Sequence, residues 1–296
     1  MTSSATPTPA VRPGADPPRR FTFEEYCVYD DGTDNRYELV QGYLQLMSPP
    51  AGLHIVICGF LVHVFNTLFA RTHSPLQAEK DVGVRVQKRT CRIVDVCVNG
   101  DAQWQTISQP GTVGIFLLAQ TPLLVVEVAS TNEKEDYQAK YQEYAAAGIP
   151  EYWIVNSKRQ HLRVCNANAP GTPYQYRQFV KGQRIISQVL PQLELTVDEV
   201  LNPPVVRDLI EQEQTERDAL AAQNETVTAE RDALAAQNAT IATERDAIAT
   251  ERDAMEAQNK MVTAERDLLK AEKAAIQQQL EQLKAVMQAR GLDAPQ

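Results

Sequence analysis

The sequence predicts an α/β body with a mixed sheet flanked by helices, followed by one long C-terminal coiled-coil helix. Three observations lead there. Valine- and leucine-rich runs of strand length alternate with longer helical stretches between Tyr37 and Leu201. Two of those apolar runs each carry a single acid, Asp95 and Glu127, where a carboxylate must be paired, hydrogen-bonded or bound to metal. From Val205 onward aromatic residues vanish, and a seven-residue repeat dominated by Ala, Gln, Glu, Arg and Thr takes over. The chain therefore divides into a disordered segment 1–20 rich in Pro, Ser, Thr and Ala, a body 21–204 and a coiled coil 205–290.

Thr22-Phe23-Glu24-Glu25-Tyr26 opens a short helix, with Thr22 and Glu25 at capping-box spacing. Asn35 to Met47 reads as a hairpin with a Gln41-Gly42 turn. After the loop Ser48 to Gly52, the stretch Leu53 to Arg71 is a long helix, apolar around much of its circumference and so buried. Strands are expected over Gln77 to Gln87, Arg92 to Val98 and the run Pro122 to Ala129. Asn99 to Ala119 shows no usable period. Ser130-Thr131-Asn132 stops the strand and caps a helix from Glu133 to Ala147, which Gly148-Ile149-Pro150 ends. Tyr152 to Val155 is a further buried strand. His161 to Cys165 and Tyr174 to Val180 add antiparallel strands, and Thr196 to Leu201 is a small closing helix.

The formal net charge of -9 is mostly a property of the tail, which holds 18 acids and 11 bases against 20 and 18 before Val205. The body thus has no basic surplus to attract nucleic acid. The five cysteines form no C-x-x-C pair, their number is odd, and neither a signal peptide nor a membrane span is visible. A reducing cytoplasm and no membrane partner are the expectation. There is no glycine-rich phosphate loop, no H-E-x-x-H, no nucleophile elbow and no zinc spacing among the histidines.

Alternation along a strand puts Asp95 on a face with Ile93 and Cys97, and Glu127 on one with Val125 and Ala129. Both acids are expected toward the ends of their strands, where a sheet opens onto a crevice. Lys140 follows Asp136 by one helical turn and precedes Tyr144 by another. If its helix packs over the Glu127 strand, its ammonium can orient a water or stabilise a phosphoryl transition state. Two carboxylates on neighbouring strands beside a lysine is how a divalent-metal site for phosphodiester hydrolysis is built.

Structural alternatives stand beside these readings. Glu127 pairs with an arginine, Asp95 with nearby Arg92, or Glu38 with Arg36. Lys140 is a solvated helix residue, and His54 a satisfied helix histidine. Arg85, Lys88, Arg89 and Arg92 form either a phosphate-contacting patch or a solvated hairpin tip.

From Phe21 to Leu201 the chain resembles the PD-(D/E)XK nuclease superfamily, and more closely the restriction-endonuclease-type family multiplied in cyanobacteria. The resemblance runs in order through Phe21-Thr22-Phe23-Glu24-Glu25-Tyr26, Tyr37-Glu38-Leu39-Val40-Gln41-Gly42, Ser48-Pro49-Pro50 with His54, and Val94-Asp95-Val96. It continues through Leu124 to Ser130, Lys140-x-x-x-Tyr144 and Gly148 to Val155. It implies a restriction-endonuclease-like fold and Mg²⁺- or Mn²⁺-dependent cleavage of DNA. It makes Asp95 and Glu127 the metal ligands, Glu38 a supporting acid and Lys140 the catalytic lysine. Val94 replaces the usual proline before the aspartate. Ala129 stands where E-x-K places lysine, so Lys140 substitutes from the following helix.

In the tail, Glu-Arg-Asp recurs at multiples of seven, and ten apolar residues from Leu220 to Leu283 keep strict heptad register. With these at d, position a holds Asn224, Arg231, Asn238, Arg245, Arg252, Asn259, Arg266 and Lys273. These residues weaken the seam and favour a register-fixed homodimer, the alternative being a lone, charge-stabilised helix or a frayed one. The expected function is a dimeric, metal-dependent DNA endonuclease. A catalytically silent nuclease-like scaffold, and a nuclease for RNA or branched DNA, are the alternatives.

Overall fold

The computed structural model describes residues 19–129 and 133–290. The expected disordered segment, apart from Arg19 and Arg20, lies outside the described residues, as does Ser130-Thr131-Asn132. The chain forms two compact units that divide after Gln212.

In the first unit, α1 (Phe23–Cys27) leads to the hairpin β1 (Tyr37–Val40) and β2 (Tyr43–Leu46), then α2 (Gly52–Thr72). The long strands β3 (Leu76–Gln87) and β4 (Thr90–Gly100) follow, then α3 (Asp101–Ile107), β5 (Ile115–Phe116) and β6 (Leu124–Val128). A π-helical turn, Glu135–Ala139, runs into α4 (Lys140–Ala147). The strands β7 (Glu151–Asn156), β8 (His161–Ala167) and β9 (Tyr174–Val180) and the helix α5 (Val197–Leu201) complete the body. The capping box on α1 forms as its spacing predicts. Gln41 and Gly42 both take positive φ, 52° and 90°, which a two-residue hairpin turn requires.

Two elements fall in the aperiodic stretch after Asn99. Helix α3 has one buried side chain, Trp104, whose Nε1–H donates to Gln77 O at 2.9 Å and whose ring meets Phe116 edge-on at 4.9 Å. A single anchor per short element leaves no period to read.

Nine strands make one mixed sheet in the order β2-β1-β4-β6-β7-β8-β9, with β3 on the other edge of β4 and β5 beside β3. The pair β6–β7 is parallel, joined by the crossover through α4, and β8 and β9 extend the sheet antiparallel. Val96, Val98, Val126, Trp153 and Val155 pack with α2 and α5 on one face. Cys97, Val125, Tyr152 and Ile154 pack with Tyr144 of α4 on the other. By length and composition α2 is apolar enough to cross a membrane. Here Ile57, Leu61 and Phe65 put it in the core of the body. Glu151, fully buried, accepts from Trp153 Nε1–H, the Ser187 hydroxyl and the Gln188 and Val189 N–H groups, so it ties the 187–190 loop to β7.

The second edge of β4 is interrupted. Strand β3 pairs β4 along its length, β1 meets it only at Cys91, and β6 takes Val96, Cys97 and Val98. Among the described residues, Arg92 to Asp95 therefore have no strand partner on that edge, and side chains occupy the gap. Glu38 Oε1 accepts the Ile93 N–H at 2.9 Å, and Asp95 Oδ2 accepts the Val128 N–H at 2.6 Å. Arg92, 1% exposed, donates to Glu38 (2.9 Å), Glu135 (2.6 Å) and, through two nitrogens, Glu143 (2.7 and 3.1 Å).

Helix α6 (Val206–Ala289), which from Glu213 onward makes up the second unit, is one uninterrupted helix of 84 residues, about 125 Å long at 1.5 Å per residue. None of its residues is buried, and all ten members of the apolar heptad column are more than half exposed.

Removing Arg92 would take the cation away from three carboxylates, Glu38, Glu135 and Glu143. Arg92→Met should lower stability by about 3–5 kcal/mol at neutral pH. The deficit should shrink as pH falls, because buried acids that have lost their cation take up protons. Urea melts at pH 7.5 and 5 measure both; a pH-independent loss would show that the guanidinium acts by packing rather than charge.

Candidate active site

Glu127, 2% exposed, projects from β6 under α4. Both of its oxygens are engaged: Oε1 accepts the Tyr144 hydroxyl at 2.6 Å and Oε2 the Lys140 ammonium at 2.7 Å. Lys140 also lies 3.5 Å from Asp136. The π-helical turn and α4 thus aim Asp136, Lys140 and Tyr144 toward β6, one turn apart. A π turn inside a helix is frequent at functional sites. The Gly148 left-handed cap, φ 83°, then ends the helix and lets the chain drop into β7.

Asp95 bonds the main chain of Val128, the residue after Glu127. Its other oxygen faces His54 Nε2 of α2 at 3.1 Å. Cys58, one helical turn after His54, joins them. One donor atom each from His54, Cys58 and Asp95 lies within 4.8 Å of the others. Asp81 adds its field to His54 and Cys58 from a left-handed position in β3, φ 60°.

The site is crowded with negative charge. Burial, reinforced by Asp95 and Asp136, pushes Glu127 well above the usual carboxylate range against the pull of Lys140. Burial, with Asp95 and Glu135 adding to it, raises Asp136 to about 6. Burial alone would lower Lys140, but Glu127, Glu38, Asp136 and Asp95 outweigh it and hold the ammonium protonated. The hydrogen bond to Asp95 raises His54. Burial raises the Cys58 thiol, and Asp95, Asp81 and Glu127 raise it further. Three carboxylates around one lysine, on adjacent strands and a covering helix, suit a hard divalent cation by charge and donor type. The His54-Cys58-Asp95 set suits a softer one.

Asp95, Glu127 and Lys140 are brought together. Glu38 bonds Arg92 and the Ile93 N–H rather than these three, though its charge acts on Lys140; it makes no bond to Arg36, which instead meets Asp81 at 3.3 Å. Glu127 pairs with lysine and tyrosine rather than arginine, and Arg92 bonds Glu38, Glu135 and Glu143 rather than Asp95. Asp95 lies mid-strand, not near an end, at the point where β6 has stopped pairing with β4. The expected basic cluster is not one surface. Arg92 is buried and Arg85 lies over the Phe23 ring at 3.9 Å, leaving Lys88 and Arg89 exposed at the hairpin tip. Asp136, Tyr144 and Cys58 carry parts of the site that sequence reading did not assign. Their signal is i,i+4 spacing to Lys140 and to His54.

No curated protein matches the chain. A crystal structure described as that of a putative nuclease belonging to DUF820, from Anabaena variabilis ATCC 29413, is similar over 61% of this chain and 97% of its own. The two are 16% identical, with a TM-score of 0.49. The Uma2 family, described as "Putative restriction endonuclease", matches residues 22–198, well over half of the sequence. The chain belongs to the Uma2 family of restriction-endonuclease-like proteins, consistent with the PD-(D/E)XK-like nuclease superfamily.

Proposed function

We propose that the body is a Mg²⁺- or Mn²⁺-dependent DNA endonuclease, and that the chain works as a homodimer joined through α6. One observation carries the reading. Lys140, thirteen residues beyond Glu127, brings its ammonium to 2.7 Å from that carboxylate, and so supplies the lysine that Ala129 does not. Asp95, Glu127 and the Val128 carbonyl hold the ion. When bound, the ion supplies positive charge against the scissile phosphate. Lys140 orients the attacking water or bonds a phosphate oxygen, and Tyr144 keeps Glu127 turned toward the site. Glu38 is a positioning residue, acting through Arg92 and the Ile93 N–H on β4. Five unpaired cysteines accord with the reducing cytoplasm we propose as its compartment.

Purified protein should nick supercoiled DNA with Mg²⁺ or Mn²⁺. Glu127→Gln and Lys140→Met should each lose about a hundredfold or more in rate. Equal cutting by native and Glu127→Gln protein would remove this site from the chemistry. RNA and branched DNA run in parallel read the substrate class. Silence on all of them, with metal affinity no higher than that of Asp95→Asn, would favour a scaffold.

Stability should respond to metal in a defined pH window. Asp136 has its folded value raised to about 6, so the fold loses stability as pH rises from the ordinary aspartate range through 6. A cation that takes over the neutralising role of the proton should raise the melting temperature more at pH 7.5 than at pH 5. Identical shifts at both values would place the bound ion away from these acids.

The His54-Cys58-Asp95 cluster favours a second ion at the same place. Zn²⁺ or Co²⁺ there would share Asp95 with the catalytic ion and compete with it. Co²⁺ should give a thiolate-to-metal absorption that Cys58→Ser abolishes, and Zn²⁺ should inhibit the native chain more than the variant. No thiolate band with the native protein would rule this ion out.

A further inference from the structure

The polar columns of α6 contain a second pattern. With Leu220 at d, every basic residue at a from Arg217 to Lys273 directly follows a glutamate at g, as in Glu230-Arg231 and Glu251-Arg252. Every asparagine at a directly follows a glutamine: Gln223-Asn224, Gln237-Asn238 and Gln258-Asn259. Contacts between sequence neighbours on one helix are open to water and contribute little, so this match adds little to an isolated helix. Within one chain Arg231 and Arg252 lean instead on Asp232 and Asp253, at 3.1 and 3.2 Å, in pairs open to water that contribute little.

The pattern gains a purpose across a parallel seam. There each a side chain enters a hole bounded by the partner helix's a residue, the g residue just before it and two d residues. We propose that α6 pairs with α6 of a second copy of this chain, parallel and in register, and that the g-to-a match selects this arrangement. Arg231 then meets the partner's Arg231 and, offsetting that like charge, the partner's Glu230, and Asn238 meets the partner's Asn238 and the partner's Gln237. The exposed apolar column, from Leu220 to Leu283, closes against itself.

The alternatives fit worse on the same columns. An antiparallel pair sets g against g, which puts glutamates beside glutamates and glutamines. The e column, led by Ala221, Thr228, Ala235, Ala242 and Ala249, has no early charge to offset them. A parallel pair slipped by one heptad aligns none of the three asparagines, and one slipped by two or three aligns one. In register all three face their own copies, the arrangement that fixes coiled-coil register. This inference rests on the dimer proposed above and adds its geometry; it is independent of cleavage.

The test uses the full chain. Asn238→Cys (position a) and Thr240→Cys (position c, facing outward) are oxidised beside the parent with its five native cysteines and run on a non-reducing gel. Light scattering of the same proteins reads the oligomeric state. A dimer in which only Asn238→Cys forms a covalent pair is expected, because facing a residues lie within disulfide reach. A dimer by scattering with no such cross-link overturns the parallel register, and a monomer overturns the pairing itself. The triple variant Glu230→Lys, Glu244→Lys, Glu251→Lys should weaken the dimer on the order of tenfold or more while the chain stays helical. An unchanged dimer in that variant overturns the g-to-a match.

Discussion

The burial of Glu127 is the constraint from which the rest of the site follows. A carboxylate inside a valine strand between two cores is tolerated only if its oxygens find donors. Tyr144 and Lys140 provide one donor each, and both stand on α4. The helix is therefore bound to β6 by polar contacts as well as apolar ones, and the π turn before it sets the phase that makes both contacts possible. Asp136 enters on the same face. It pairs with Lys140, yet it adds a further negative charge to a dry place. The net outcome is a site short of positive charge.

Two clusters of acids line the interrupted edge of β4, and their contrast separates scaffold from site. Around Arg92, a bidentate guanidinium meets Glu143 while Glu38 and Glu135 complete its donor fork. There the arginine prevails over burial and holds Glu135 below its ordinary value. Around Lys140, burial and like charges prevail, and Glu127 and Asp136 are raised. Glu38 belongs to the first cluster by its bonds and reaches the second through its field on Lys140 and Tyr144. The first arrangement fixes backbone; the second invites a cation.

Much of this was legible in the residues. The runs around Asp95 and Glu127 announced buried strands, and buried acids in them announced partners. The hairpin, α2 and the β6-to-β7 crossover follow directly from period and turn chemistry. What escaped had physical reasons. Arg92 looked like part of an exposed basic tip because linear proximity to Arg89 says nothing about which way a strand residue points. Helix α3 had one anchor and no period. The His54-Cys58-Asp95 grouping needs α2 laid beside the centre of β4, a tertiary fact that no local pattern encodes. The resemblance supplied Lys140, since a lysine on a helix is otherwise a solvated side chain.

Both units obey one rule: a polar group in an apolar seam persists when something answers it. In the body the answers are intramolecular. Glu127 has Lys140 and Tyr144, and Glu151 has four donors of its own chain. Helix α6 has no such means. Its apolar column is exposed, and the arginines and asparagines beside that column sit where an apolar residue would serve a seam better. A helix shaped only for solubility needs no heptad, and one shaped only for tight association needs no arginine at a. A column that keeps both, with glutamate before each base and glutamine before each asparagine, is suited to choosing one alignment at the expense of strength. In the pairing proposed above, the tail follows the same electrostatic rule as the site, with the answering groups supplied by a second copy of the chain.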